Sequence, residues 1–358
     1  MAKRRKMVLD EPEPAPKVKK GHPKRSASPN TVMAIAAVFI AAAIVSVAAY
    51  SFMETGEDDE DPYGSLEFSG TNAYDNVTWQ CDQGYRTPNS TAKEVVAKHI
   101  RDTMRSYGYK ARYQNFTGWY GDWDGTPFSN VVAWKDSSDS GDPTILLIAH
   151  YDTRPFSDRN SKQPPDERST DHEDYYKPIE GANDGASGVA VLLELGRVLA
   201  DEDLPFKIKF LFTDGEDCGP GSESMFYGSR YFAEDLNAQE VEEIAHVIVV
   251  DMIGDAKLRI PRERYSEDSD PELMDLIWSN AGKLGMTQFK DEQGQYIGDD
   301  HNPFIDRGIP AIDLIDFQYP DQTINYWHTQ EDTPDKVSAK SLEAVGRVLE
   351  YTLKRLKP

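Results

Sequence analysis

Four short apolar runs constrain this chain more than any other feature: TILLIAH (144–150), IKFLFTD (208–214), HVIVVDM (246–252) and IPAIDLID (309–316). Each is long enough for a strand and short for a helix, and continuous apolar character marks strands covered on both faces. Helical segments separate most of them. Gly188 to Ala200 and Ser229 to Asp235 lie between the first three, Pro271 to Leu284 precedes the fourth, and Ser338 to Leu356 closes the chain as an amphipathic helix. Upstream, Ala92 to Tyr107 sets Val96, Ile100, Met104 and Tyr107 at helical spacing before Gly108. The aromatic stretch Tyr113 to Trp134, interrupted by Gly118, Gly121 and Gly125, predicts a hairpin whose second strand is Asn130 to Trp134. The expected fold is α/β, a mostly parallel mixed sheet with helices on both faces. No internal repeat is present.

The amino-terminal region follows different rules. Val32 to Met53 is uncharged and apolar, and at ~1.5 Å per residue a helix of that length spans a bilayer. Nine Lys/Arg precede it within residues 1–30, and Glu54, Glu57, Asp58, Asp59, Glu60 and Asp61 follow it. That bias keeps the tail inside and sends the rest outside. A cleaved signal peptide is the rival, but the basic region is long for one. The expected organisation is a basic cytoplasmic tail (1–30), a single-pass transmembrane anchor (31–53), an acidic linker (54–68) and an extracytoplasmic domain (69–358). The chain carries 39 Lys/Arg against 62 Asp/Glu, a net charge of −23. With the basic tail set aside, the acid sits on the domain, which repels phosphate backbones and argues against nucleic-acid binding. Protonated peptide amines suit such a field. Cys81 and Cys218 are too few for a disulfide framework and compatible with one bridge. Asn76, Asn89 and Asn115 head glycosylation sequons.

Ligands of open α/β sheets bind beyond the carboxyl ends of the strands. The first run ends on His150 and Asp152, the second on Asp214, Glu216 and Asp217, the third on Asp251. No Lys or Arg stands within HYD, DGED or VDM, so these acids call for a cation. Carboxylate and imidazole donors without thiolate suit a catalytic zinc with three protein ligands. Asp184, in GANDGASG, is a ligand candidate, although an Asp before an apolar helix also suits N-capping. Glu216 and Asp217 are adjacent and diverge, so one can ligate while the other serves as general base and acid; a solvated loop pair is the ordinary alternative. His328, in YWHTQEDTP, would alone read as a loop histidine. Asp152 is expected to orient the His150 imidazole, and a metal role for His150 stays open.

The ordered set HYDTRP, GANDGASG, TDGEDCG, YGSRYFAE, VVDMIG, GDDHNPF and WHTQEDTPDKV resembles the zinc aminopeptidase family. Within it the chain is most similar to the glutaminyl cyclases (glutaminyl-peptide cyclotransferases) of the bacterial, animal-like type, with GYRTPNS and DWDGTPFSN extending the likeness upstream. The resemblance covers most of residues 69–358 and implies a zinc-dependent catalytic domain acting on peptide or protein N termini. It implies one zinc on Asp184, Asp217 and His328, with Glu216 as proton shuttle. Asp251 and Asp299 would bind the substrate's amine and stabilise the shuttle, and Trp327 would line the pocket. The implied reaction turns N-terminal glutamine into pyroglutamate and ammonia. The other activity of the family, a two-zinc aminopeptidase, would add a second zinc on His150 and Asp251 bridged by Asp184. Trp327 before His328 and the DDH run favour the cyclase. Asp217 stands where animal cyclases carry Glu, while bacterial cyclases and some aminopeptidases carry Asp. An inactive peptide-binding ectodomain is the remaining class, and the retained Glu216 speaks against it.

Overall fold

All four apolar runs form strands, and they lie side by side. The structure, a computed structural model, describes residues 66–120, 123–137, 139, 141–162, 173–219 and 224–358. The basic tail, the run Val32 to Met53 and the linker up to residue 65 lie outside these. In chain order the elements are α1 (Gly70–Asp82), α2 (Thr91–Ser106), β1 (Lys110–Tyr120), β2 (Trp123–Lys135), β3 (Thr144–His150), α3 (Ala186–Val198), β4 (Lys207–Thr213), α4 (Tyr227–Asp235) and α5 (Ala238–Glu243). They continue with β5 (Ile244–Asp251), β6 (Ile260–Arg262), α6 (Arg264–Ser269), α7 (Pro271–Lys283), β7 (Phe289–Gln293), α8 (Asn302–Ile305), β8 (Ala311–Ile315) and α9 (Ala339–Leu353).

Six strands form one sheet in the order β1-β2-β4-β3-β5-β8, and β6 pairs with β7 apart from it. The four runs pair in parallel, whereas β1 with β2 and β2 with β4 are antiparallel. The mixed, mostly parallel sheet expected from the pattern is therefore present. Every residue of β3 is buried, as a central strand covered on both faces must be. On one face Ile145, Leu147, Phe210 and Phe212 share a core with Val191, Leu195 and Leu349 from α3 and α9. On the other, Leu146, Ile148, Leu211 and Val249 pack with Phe232 of α4 and Phe304 of α8. Each such aliphatic side chain contributes roughly 1.5–3 kcal/mol by burial.

Helix α3 is apolar around nearly its whole circumference, and every residue except Arg197 is buried. It approaches the sheet closely at Gly188, where a Cβ would lie 2.2 Å from the Val250 carbonyl oxygen. Helix α1 has no strong apolar periodicity and was not expected; Ser69 caps it by accepting the Asn72 N–H at 3.2 Å. Leu66 and Phe68, within the stretch assigned to the linker, are already buried in the core. Their entry is fixed by two acids: Glu350 accepts the Glu67 and Phe68 N–H groups, and Glu194 accepts that of Ser69 at 3.0 Å. The hairpin pairs from Lys110↔Trp134 to Tyr120↔Trp123, with one register shift between Gly118 and Trp119, so its second strand is longer than Asn130 to Trp134. Cys81 and Cys218 are both free thiols, so neither forms the bridge the pair would allow. Among the described residues no helix is long and apolar enough to cross a membrane.

Candidate active site

Strand β3 is followed in sequence by its neighbour on one side, β4, and the chain then crosses to β5 on the other. The crevice beyond the carboxyl ends of these three strands is where such sheets bind ligands. His150 ends β3, Asp251 ends β5, and Glu216 and Asp217 follow β4 through Gly215, whose φ is +77°. Asp184 arrives from the loop before α3, and His328 from the loop before α9, with a left-handed backbone at φ +57°. His150, Asp184, Asp217 and His328 are all buried.

Asp184, Asp217 and His328 each offer a ligand atom within 4.8 Å of the other two, as do His150, Asp184 and Glu216. His328 Nε2 lies 3.2 Å from Asp217 Oδ1 and 3.5 Å from Asp184 Oδ2. Asp184 Oδ2 and Asp217 Oδ2 are buried without a hydrogen-bond partner. Leaving such oxygens unsatisfied costs about 1–3 kcal/mol each, and more when charged. Two orphaned carboxylate oxygens beside an imidazole nitrogen fit zinc. Asp184 is not a helix cap: Gly185 occupies that position and no side chain caps α3.

The cations expected from the acidic strand ends exist in part, on other segments. Lys93 of α2 pairs with Asp214 at 2.8 Å, and Arg154 pairs with Asp217. Asp152 does not orient His150 as expected, since its oxygen is 3.7 Å from Nδ1. It accepts instead the N–H groups of Glu216 and Asp217, both at 3.1 Å, and so fixes the turn carrying base and ligand. Asp332 does the same for the Asp184 loop, accepting the Asn183 and Asp184 N–H groups at 2.8 and 3.1 Å and the Tyr319 hydroxyl at 3.0 Å. Burial and the nearby Asp184 push its carboxyl up to about 7. Asp158, which contacts His328 Nδ1 at 2.9 Å, was also missed, as were Arg154 and Asp332. Each stands within a quoted motif or a few residues beyond it, and that proximity was the available signal.

A second layer of acid surrounds the base. Glu216 is raised well above the ordinary carboxyl range, first by burial and then by Asp217, Asp299 and Asp300, although His150 acts the other way. Burial alone would depress His150, but Glu216, Asp152, Asp184 and Asp251 together raise it well above its usual value. Its Nε2 contacts Asp184 Oδ1 at 3.1 Å and Asp251 Oδ1 at 3.2 Å. Asp251 Oδ1 also accepts the Met252 N–H at 2.8 Å. Burial, Asp251 and Asp300 raise Asp299 strongly. Asp313, in the middle of β8, is raised by burial and by Asp299 and Asp251, and both its oxygens are buried without a donor. Asp300 is held by the Ser229 and Thr213 hydroxyls at 2.5 Å each. Trp327 is half-buried against Phe317, with ring centroids 4.6 Å apart, and stacks on His328 at 3.8 Å. A cavity of about 610 Å3 between α2 and the hairpin contains none of the candidate ligands.

Comparison with known proteins finds a family and several relatives. A model of Peptidase family M28 matches residues 130–353. A glutaminyl-peptide cyclotransferase-like protein of Bos taurus is 27% identical over 298 residues, covering 74% of this chain and 70% of the relative. The crystal structure of Porphyromonas gingivalis glutaminyl cyclase aligns with a TM-score of 0.73 at 30% identity, covering 81% of this chain and 99% of that one. That of a leucine aminopeptidase precursor from Bacteroides thetaiotaomicron aligns with a TM-score of 0.70, also at 30% identity, covering 82% and 99%.

Proposed function

The chain belongs to peptidase family M28, and from that membership we propose that it is a zinc-dependent glutaminyl-peptide cyclotransferase. It converts the N-terminal glutamine of peptides or proteins to pyroglutamate and releases ammonia. One observation carries the choice over a two-zinc enzyme. Asp184, Asp217 and His328 come together as a ligand set in which both aspartates keep an unpartnered oxygen, whereas the set His150 forms with Asp184 is completed by Glu216 and not by Asp251. This supports one zinc, held by Asp184, Asp217 and His328. The cyclase relatives, which align over most of the domain, support the same reading.

Cyclisation is intramolecular. The α-amine nitrogen bonds to the side-chain amide carbon, the bond from that carbon to the leaving nitrogen breaks, and no water is consumed. Zinc, when bound, supplies Lewis-acid polarisation of the amide oxygen. Glu216, its proton affinity raised by burial, takes the proton from the attacking amine and delivers it to the departing nitrogen. Asp251, whose side chain retains 10% exposure, accepts a hydrogen bond from the substrate's amine. Asp299 stands behind it, its proton affinity raised by burial and by its acidic neighbours. Trp327 and Phe317 form the apolar wall that excludes water from the reacting centre.

The aminopeptidase reading keeps one supporting feature, the second group of His150, Asp184 and Glu216. The purified chain, incubated with a Gln-initiated and a Leu-initiated peptide, separates the two. Ammonia and pyroglutamate from the first, with the second intact, is the expected result; free leucine would overturn it. We propose further that Val32 to Met53 anchors the enzyme with its catalytic domain outside the cytoplasm, a reading supported by the basic residues before this run and the acidic ones after it.

A further inference from the structure

We propose that Arg154 and Asp158 are positioning residues that brace two zinc ligands, Asp217 and His328, into one rigid unit. The proposal rests on the zinc reading above. Both residues lie in the segment that leaves β3, and both are buried. Asp158 Oδ1 lies 2.9 Å from His328 Nδ1. The same carboxylate receives a fork from Arg154, Nε at 3.1 Å and Nη2 at 2.8 Å. The remaining arm of the guanidinium, Nη1, donates to Asp217 Oδ1. A continuous path therefore runs His328, Asp158, Arg154, Asp217. Phe156 supports it from the side, its ring centroid 4.6 Å from the Arg154 guanidinium carbon.

Two consequences follow for the donor atoms. A carboxylate on Nδ1 fixes the imidazole as the Nδ1–H tautomer, leaving the Nε2 lone pair to face Asp184 and Asp217. On Asp217 the guanidinium occupies Oδ1, while Oδ2 stays buried and unpartnered. Asp217 is thus restricted to offering a single oxygen. His328 gains most from such an anchor, because its left-handed backbone is a strained conformation for a residue with a side chain and persists only when its surroundings hold it. Lysine cannot substitute for the planar fork, since one ammonium cannot bond both carboxylates in this geometry.

The test is zinc affinity, measured on the full-length chain in detergent by competition with a chromophoric chelator, beside thermal unfolding of the metal-free protein. Asp158→Ala and Arg154→Met are each expected to weaken zinc binding about 10- to 100-fold, the range for residues that orient metal ligands. The double variant should lose little more than the worse single variant, because both break the same path. Asp158→Asn, which keeps an oxygen for the imidazole N–H, should lose less than Asp158→Ala. If either large change prevents folding, Arg154→Lys and Asp158→Asn carry the test, with Arg154→Lys expected to weaken binding about tenfold. Zinc affinity unchanged in the folded variants, or losses that multiply in the double variant, would overturn the brace alone. A wild-type chain that binds no zinc would overturn the brace and the zinc reading together.

Discussion

Glu216→Gln preserves side-chain volume and removes the capacity to move a proton, so its effects on rate and on stability are expected to diverge. Loss of general acid–base catalysis lowers turnover by about 10²- to 10⁴-fold, which at about 1.4 kcal/mol per tenfold is roughly 3–5.5 kcal/mol of transition-state stabilisation. Stability moves the other way. Burial and the neighbouring Asp217, Asp299 and Asp300 raise the folded-state carboxyl well above its unfolded value. The folded chain therefore binds this proton more tightly than the unfolded chain. The stability that proton provides is complete at pH below about 4.3 and is lost as pH rises through the folded value. At pH 8 the glutamate is a burden that glutamine lacks. The metal-free variant should unfold at a temperature equal to or above that of the wild type, and its zinc content should be unchanged, because Asp184, Asp217 and His328 are intact. Ammonia release from a Gln-initiated peptide, elemental zinc analysis and thermal unfolding report the three quantities. Turnover within about threefold of wild type would refute the proton-shuttle assignment. Loss of zinc would make Glu216 a ligand and shift the reading to its group with His150 and Asp184.

Two further predictions concern the scaffold. Gly188→Ala places a Cβ 2.2 Å from the Val250 carbonyl oxygen and 3.0 Å from the Ala149 Cβ. Because backbone cannot yield cheaply, α3 must move off β5 at a cost of about 1–3 kcal/mol, and thermal unfolding should fall by several degrees; an unchanged midpoint would show that the helix has slack. Asp316, pushed up to about 7 mainly by burial, with Asp255 adding and the Arg259 and Gln318 N–H groups opposing, makes the folded chain lose stability as pH rises from about 4 to 7. At about 1.4 kcal/mol per pKa unit the fall is bounded near 4 kcal/mol. Asp316→Asn should flatten it in urea unfolding at pH 5 and pH 8, and an identical difference between the two pH values would refute the assignment.

Most of the sheet was legible because buried parallel strands are written as uninterrupted apolar runs, and α2, α3, α7 and α9 because their apolar spacing is strong. Helix α1 was not, since its sequence GTNAYDNVTWQCD buries only Gly70, Ala73, Val77 and Gln80. Its stability is tertiary: Gln80 donates to the Ala186 carbonyl at 3.1 Å, and Glu194 and Glu350 hold the chain that leads into it. Strand β7 was equally silent, because FKDEQ buries only Phe289 and pairs with β6, a strand of three residues. Local propensity carries no record of either partner.

Of the proposed ligands, Asp217 was legible for a topological reason, as it follows a strand end where the crevice must be, whereas Asp184 and His328 sit in loops and were reached through the motifs GANDGASG and WHTQEDTPDKV. Their supports were not, because Asp152, Asp158 and Asp332 bond backbone or imidazole groups from other segments. Asp313 was overlooked inside IPAIDLID, although a lone acid in an apolar strand was a usable signal. The charge argument shows what was gained by seeing the fold. The acids at the strand ends do require cations, but Lys93 already answers Asp214 and Arg154 answers one oxygen of Asp217. Subtracting these leaves two different demands. Asp299 is raised by burial, Asp251 and Asp300, and Asp313 by burial, Asp299 and Asp251, so this demand is for protons. Asp184 Oδ2 and Asp217 Oδ2 are buried with no donor in the group these residues form with His328, so the need for a metal narrows to these three residues, on which the brace leaves one nitrogen and two oxygens free.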